Sequence, residues 1–214
     1  APKYGGTLNR YYSGGALSFN DSNVSPQPAV AHVNQKLMEG DWTKGNAGGL
    51  GSKETRWGTD YPDIFALKTG MLATSAKWSA DFAKDEGIII YQIRQGVRWA
   101  KPNTDAGRLM NGREFNADDV VFNLKRNVQQ AGMTIYRSNP ELRTANITKT
   151  GPFEVTIKTS IVGLMSGLSR FSDSNVMYSP EVVAKYGHTE DWKNSIGTGP
   201  YILTEYVAGS QVLL

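Results

Sequence analysis

Alternation and helical spacing divide this 214-residue chain into a legible series of elements. In "IIIYQIRQGV" (88–97), Ile89, Tyr91, Ile93 and Val97 fall on one side of an extended chain. Ile88 and Ile90 give way to Gln92 and Arg94 on the other, and that two-residue period predicts a half-buried strand. "DEG" just upstream predicts a tight turn, making a hairpin with a strand inside "LATSAKWSADFAK". "FEVTIKT" (153–159) alternates in the same way, Phe153, Val155 and Ile157 against Glu154, Thr156 and Lys158, behind a "KTGP" turn. "GGTLNRYYSG" (5–14) predicts an opening strand bracketed by glycines, followed by an Asn-, Ser- and Pro-rich loop. "GTGPYILTEYVAGSQVLL" predicts a closing strand, turn and strand.

Helical spacing marks three further segments. Val30, Val33, Leu37 and Met38 share one face of a helix expected over 28–39, with Gly40 as its stop. Asn116 is placed to cap a helix whose first turn carries Asp118 and Asp119, where the helix dipole favours negative charge, and Val121, Leu124 and Val128 follow at helical spacing. "SPEVVAKYG" (179–187) has cap Ser179, Pro180 at the first helical position and Gly187 as its stop. "AKPNTDAGRLM" (100–110) reads as a loop, and residues 40–63 as a long Gly-rich insertion carrying Trp42 and Trp57. The chain ends in apolar "VLL", which reads as an unpaired strand and leads us to expect the N-terminal portion of a longer polypeptide.

Composition narrows the function classes. Twenty-three Lys and Arg are interspersed with 20 Asp and Glu, which describes a solvated, mildly basic surface and no nucleic-acid stripe. The absence of cysteine excludes disulfides, thiolate zinc sites and cysteine nucleophiles. No apolar run reaches the ~18–20 residues of a membrane helix.

Candidate chemistry is sparse. "GNAGGLGSK" (45–53) lacks the Gly-Lys-Ser/Thr ending of a phosphate loop, and Ser166 in "GLMSGLS" is one position out of register for a nucleophile elbow. His32 and His188 are the only histidines, with no carboxylates at matching spacing, so no metal site is expected. Asp118 and Asp119 are accounted for by their place in a first helical turn, and no catalytic residue is nominated. Aromatics in loops (Trp42, Trp57, Tyr61, Tyr136, Phe171) beside Asn, Ser and Gly describe a pocket for a moderately polar organic ligand.

Four stretches together resemble one family. "YGGTLNRYYSGGALSFNDSN", "LATSAKWSADFAKDEGIIIYQIRQGVRW", "NGREFNADDVVFNLKR" and "GTGPYILTEYVAGSQVLL" are similar, in order and spacing, to signatures of the peptide/nickel class of extracytoplasmic solute-binding proteins that serve ABC importers. "FND" (19–21) departs from the family's usual "LDP", and the 40–63 and 100–110 segments are longer than its usual loops. The resemblance implies a mixed α/β (α+β) fold: the first lobe of a type II periplasmic-binding-protein-like architecture, with a small α/β subdomain inserted and the second lobe absent. By that comparison residues 1–40 open the first lobe, 41–187 form the subdomain and 188–214 return to the lobe.

The function implied is a non-catalytic monomeric receptor, periplasmic or anchored at the cell surface, with no cofactor and no nucleic-acid partner. It would capture a small solute, peptide foremost, and deliver it to an ABC permease in the membrane. An oligosaccharide receptor of the same fold, using Trp42 and Trp57 for stacking, is the alternative within the class. A carbohydrate-active enzyme or an adhesion module is the alternative outside it, although no carboxylate pair for a glycosidase stands out. The solute contacts expected are Tyr12 and Ser13 at the end of the first strand, Asn20, Asn23 and Ser25 in the next loop, and Tyr136, Phe171, Asp173 and Thr198. Each also has a structural explanation: core packing for Tyr12, Asx-turns for Asn20 and Asn23, a hydrophobic cap for Tyr136, solvation for Asp173 and turn support for Thr198.

Overall fold

A computed structural model describes Asn9, Phe19 and residues 28–41, 43–44 and 65–214. The expected opening strand and most of the 40–63 insertion lie outside these residues.

The strongest alternating segment forms the centre of the main sheet. Strands β3 (Ala73–Asp81) and β4 (Glu86–Ile93) make the expected hairpin, and β5 (Asn146–Gly151) and β6 (Glu154–Thr159) make a second. β4 pairs antiparallel with β6, giving the order β3-β4-β6-β5. Asp81 folds the first turn by accepting the backbone N–H groups of Ala83 and Lys84. In register, Ile89 lies opposite Ile157 and Tyr91 opposite Val155, and all four are fully buried. Gln92 and Lys158, on the opposite face, are exposed. The period of two has thus selected the buried face.

Helices cover that face. α3 (Ala117–Gln129) starts with the capping box that Asn116 foreshadows: its side chain accepts from Asp118 N at 2.8 Å, while Asp119 accepts from Asn116 N at 3.0 Å. Val120, Leu124 and Val128 point into the core, each contributing about 1.5–3 kcal/mol by leaving water. α5 (Ile161–Arg170), capped by Ser160, contains the "GLMSGLS" stretch. Its small residues are packing surfaces, because a Cβ at Gly167 would sit 2.9 Å from the Phe171 ring. α6 (Pro180–Tyr186) ends at Gly187 in the left-handed region (φ 79°), as its sequence indicated.

Four expectations require correction. The first helix, α1 (Pro28–Val33), stops well before residue 39, and Met38–Gly40 becomes strand β1, paired with β2 (Lys68–Gly70). Tertiary hydrogen bonds cause the change: Met38 N donates to Ser172 O, Met177 N to Gln35 O, and both Met71 N and Ala73 N to Leu37 O. These bonds engage backbone groups that a continued helix would need. Residues 105–110, read as loop, form α2 (Asp105–Met110), started by Thr104 and stopped by Asn111 in the left-handed region. A further short helix, α4 (Thr134–Ser138), follows α3. Val212 and Leu213 of the final "VLL" are also paired: in β7 (Glu205–Val207) and β8 (Gln211–Leu213), Tyr206 faces Val212 and Glu205 faces Leu213.

Two buried clusters result. The larger lies between the sheet and α3 and α5; the smaller joins Phe19, Val30, Val33, Val176, Tyr178, Val183 and Leu203. Residues 175–178 run between them, with Val176 and Tyr178 in the smaller cluster and Met177 in the larger.

Candidate functional site

Three passages distant in sequence converge on one joint: α1 with β1, residues 171–179 after α5, and the Gly-Thr-Gly turn at 197–199. Backbone bonds hold the first two side by side, through Met38 to Ser172, Met177 to Gln35 and the isolated bridge between Lys36 and Val176. The turn closes onto the C-terminal end of α1, where Gly199 N donates to Val33 O at 2.7 Å. This approach needs glycine. A Cβ at Gly197 would lie 2.0 Å from Val33 O, and one at Gly199 2.5 Å from His32 O. His32 also sets its ring 5.8 Å from that of Tyr201.

Asp173 and Phe171 belong to this joint. Phe171 is fully buried in the larger core, against α5. Asp173 is paired: Lys68 Nζ donates to its Oδ2 at 2.6 Å and to Ser172 Oγ at 3.3 Å. The Lys68 side chain is 0% exposed, while that of Asp173 retains 22%. Tyr91 lies nearby with its hydroxyl buried and unpartnered. Burial first, and then the negative charge of Asp173, holds its phenol well above the ordinary range.

A serine beside a lysine can be a nucleophile–base pair, but this geometry opposes that reading. Ser172 Oγ donates to Leu168 O at 2.7 Å, and an ammonium donating to Asp173 and Ser172 has no lone pair to take a proton. The arrangement serves to fix a carboxylate in place.

Thr198 sits within the Gly-Thr-Gly turn with Oγ1 sealed from solvent and unpartnered, as is Asn34 Oδ1 on the facing end of α1. Tyr136 lies apart on α4, its ring 4.0 Å beneath the Arg143 guanidinium and its carbonyl accepting from Arg143 Nε at 2.9 Å. The structure therefore brings together Phe171, Asp173 and the passage facing Thr198, and leaves Tyr136 on another element. Tyr12, Ser13, Asn20, Asn23 and Ser25 lie outside the described residues, as do Trp42, Trp57, Tyr61 and the 45–53 run. Among the described residues no group of His, Asp and Glu is arranged to hold a metal ion, and no helix is long and apolar enough to cross a membrane.

Two polar networks behind the joint link residues too far apart in sequence to be marked by local spacing. Asn123, on the buried side of α3, treats Tyr178 as a strand partner, donating to its carbonyl at 2.8 Å and accepting from its N–H at 2.9 Å. Arg113 bridges two carboxylates, reaching Asp119 Oδ2 at 2.9 Å and Glu181 Oε2 at 2.8 Å, and Trp99 Nε1 completes Asp119 at 3.3 Å. The first-turn position of Asp119 explained its charge but not its burial; an arginine six residues earlier was the available signal.

The Arg113 network carries a pH dependence. Burial pushes the Glu181 carboxyl up, but hydrogen bonds from Arg113 and the backbone outweigh it and hold the group below its ordinary value of 4.5. A carboxyl depressed in the folded state stabilises above its unfolded pKa, and that contribution is lost as pH falls through the folded value. Thermal midpoints measured down the acid limb should therefore fall less steeply for Glu181→Gln than for the wild type. Parallel acid limbs would remove Glu181 from the account.

Comparison with known proteins places this geometry. Residues 69–214 match the bacterial extracellular solute-binding proteins, family 5 Middle. The fold is similar to that of a periplasmic binding protein, DppA from Helicobacter pylori in complex with the peptide STSA, at 15% identity and a TM-score of 0.59. That match covers 92% of this chain and 37% of the other. A dipeptide-binding protein from Pseudoalteromonas sp. SM9913 in complex with Met-Leu aligns at 20% identity and TM-score 0.57, over 92% of this chain and 37% of that one. Haemophilus influenzae OppA in complex with RPPGFSPFR aligns at 16% identity and TM-score 0.60, over 93% and 36%. The chain thus spans a little over one third of the length of these proteins, and its mixed α/β fold is that of type II periplasmic binding proteins. No curated protein matches it in sequence. With the family match running from β2 to the last residue, this chain belongs to the bacterial extracellular solute-binding proteins of family 5.

Proposed function

We propose that this chain is part of an extracytoplasmic receptor of an ABC importer, one that captures peptides or similar small solutes and releases them to a membrane permease. The family match over residues 69–214 carries this reading. Solved proteins of the same fold that are complexed with a four-residue peptide, Met-Leu and RPPGFSPFR support the peptide class. Residues 1–40 and 188–214 would belong to a first lobe, and 41–187 to an inserted subdomain centred on the β3-β4-β6-β5 sheet. The protein works by closure of two lobes around the solute, with no covalent chemistry and as a monomer. It resides in the periplasm or at the cell surface.

Solute contacts from this portion are Tyr12, Ser13, Asn20, Asn23, Ser25, Tyr136, Asp173 and Thr198, whereas the buried Phe171 lies behind the surface they would form. The Lys68-held carboxylate of Asp173 is the part-exposed charged group among them and supplies a fixed acceptor. Phe171 contributes by shaping the wall from behind, and the 197–199 turn by holding α1 beside it. A single wall excludes little water, so these 214 residues alone should bind peptides only at millimolar concentration.

Calorimetric titration of the whole protein with pooled peptides and pooled oligosaccharides tests the reading. Heat from the peptide pool alone, with every ligand recovered intact, is expected. Heat from sugars alone would overturn the peptide class, and turnover of any pool member would overturn the receptor.

A further inference from the structure

We infer that Lys68 is a positioning residue that sets how Asp173 discriminates between charged and neutral solutes. The inference rests on the reading that Asp173 contacts the solute. A lysine with a fully buried side chain is an uncommon component of a core, and it has no evident role other than its two partners. Ser172 fixes the ammonium from behind, since its hydroxyl is itself tied to Leu168 O at 2.7 Å. Lys68 is therefore held against Oδ2 of Asp173 at 2.6 Å, and an incoming N–H donor is left with Oδ1.

Charge balance follows from this geometry. Asp173 is the part-exposed member of the pair and Lys68 the buried one, so a solute approaching from outside meets a carboxylate whose field is cancelled within a hydrogen-bond length. Such an acceptor takes a neutral amide N–H about as well as an ammonium. An unneutralised carboxylate in the same place would favour cations. Lys68 thereby makes the wall tolerant of the charge of whichever solute donor meets Asp173, while preserving a directional hydrogen bond.

The test is a ¹⁵N NMR titration of this chain at millimolar concentration with a matched pair of probes. Alanyl-alanine amide is a cation at neutral pH, and N-acetyl-alanyl-alanine amide is neutral; the amide signals of Ser172 and Asp173 report both. The wild type should bind the two with similar affinity. Lys68→Met should favour the cation by roughly tenfold, the scale of one unscreened charge at a partly exposed site. Lys68→Arg should restore the wild-type ratio, which a purely structural role would not require. Should Lys68→Met fail to fold, Asp173→Asn leaves the ammonium alone and should turn the preference towards the neutral probe. An unchanged ratio in a folded Lys68→Met or Asp173→Asn chain overturns the role of Lys68. Wild-type signals at Ser172 and Asp173 that move with neither probe overturn the placement of Asp173 at the solute, and the inference with it.

Discussion

Gly197→Ala is expected to destabilise the chain by about 3 kcal/mol or more, at or above the usual upper range for overpacking. The added methyl would lie 2.0 Å from Val33 O, 2.6 Å from Val33 C and 2.8 Å from Asn34 Oδ1. Two of these atoms are backbone at the end of α1, so no flexible side chain can move aside to relieve the contact. Relief requires moving the turn away from α1, which breaks the 2.7 Å bond from Gly199 N to Val33 O and disturbs the 2.8 Å bond from Ala100 N to Gly197 O. Gly132→Ala is the control, because a Cβ there meets nothing within 4 Å. Urea unfolding of the two variants should place their midpoints far apart, and equal midpoints would show that the joint yields at little cost.

Lys68→Ala is expected to cost about 3 kcal/mol, the lower end of the range for removing one member of a buried ion pair. The low end applies because Asp173 keeps 22% exposure and can partly rehydrate. The loss comes from two acceptors left without their donor, Asp173 Oδ2 and Ser172 Oγ, and from the void left by the lysine stem. Replacing both partners, as Lys68→Met with Asp173→Asn, removes the uncompensated charge and should recover part of that loss. Denaturant titrations of the singles and the double form a cycle, and strictly additive effects would mean that the pair does not act as a unit.

What could be read in the sequence was local. The β3–β4 hairpin and the capped helix α3 each declare themselves within about a dozen residues, through Ile89, Tyr91 and Ile93 in one and Asn116 with Leu124 in the other. The overrun of α1 has a specific cause: Val30, Val33 and Leu37 satisfy helical spacing, and only partners at Ser172 and residues 71–73 reveal that the chain is extended after residue 35. The site was less legible for the same reason. Lys68 and Asp173 are 105 residues apart, and Arg113 and Glu181 are 68 apart, so neither pair leaves a mark in local spacing. Asp173 could be nominated from the family resemblance, but its lysine could not. Phe171 reads from sequence as a loop aromatic, whereas it lies fully buried against Gly167 of α5.

The strip at 175–178 has a mechanical consequence. Val176 and Tyr178 are rooted in one cluster and Met177, between them, in the other, so a slip of one residue would exchange Met177 with Val176 or Tyr178 and spoil both at once. Asn123 grips the same strip by both backbone groups of Tyr178, which locks its register from the side. The two clusters are therefore yoked: neither can loosen without dragging on its neighbour, and the chain should melt as one cooperative body.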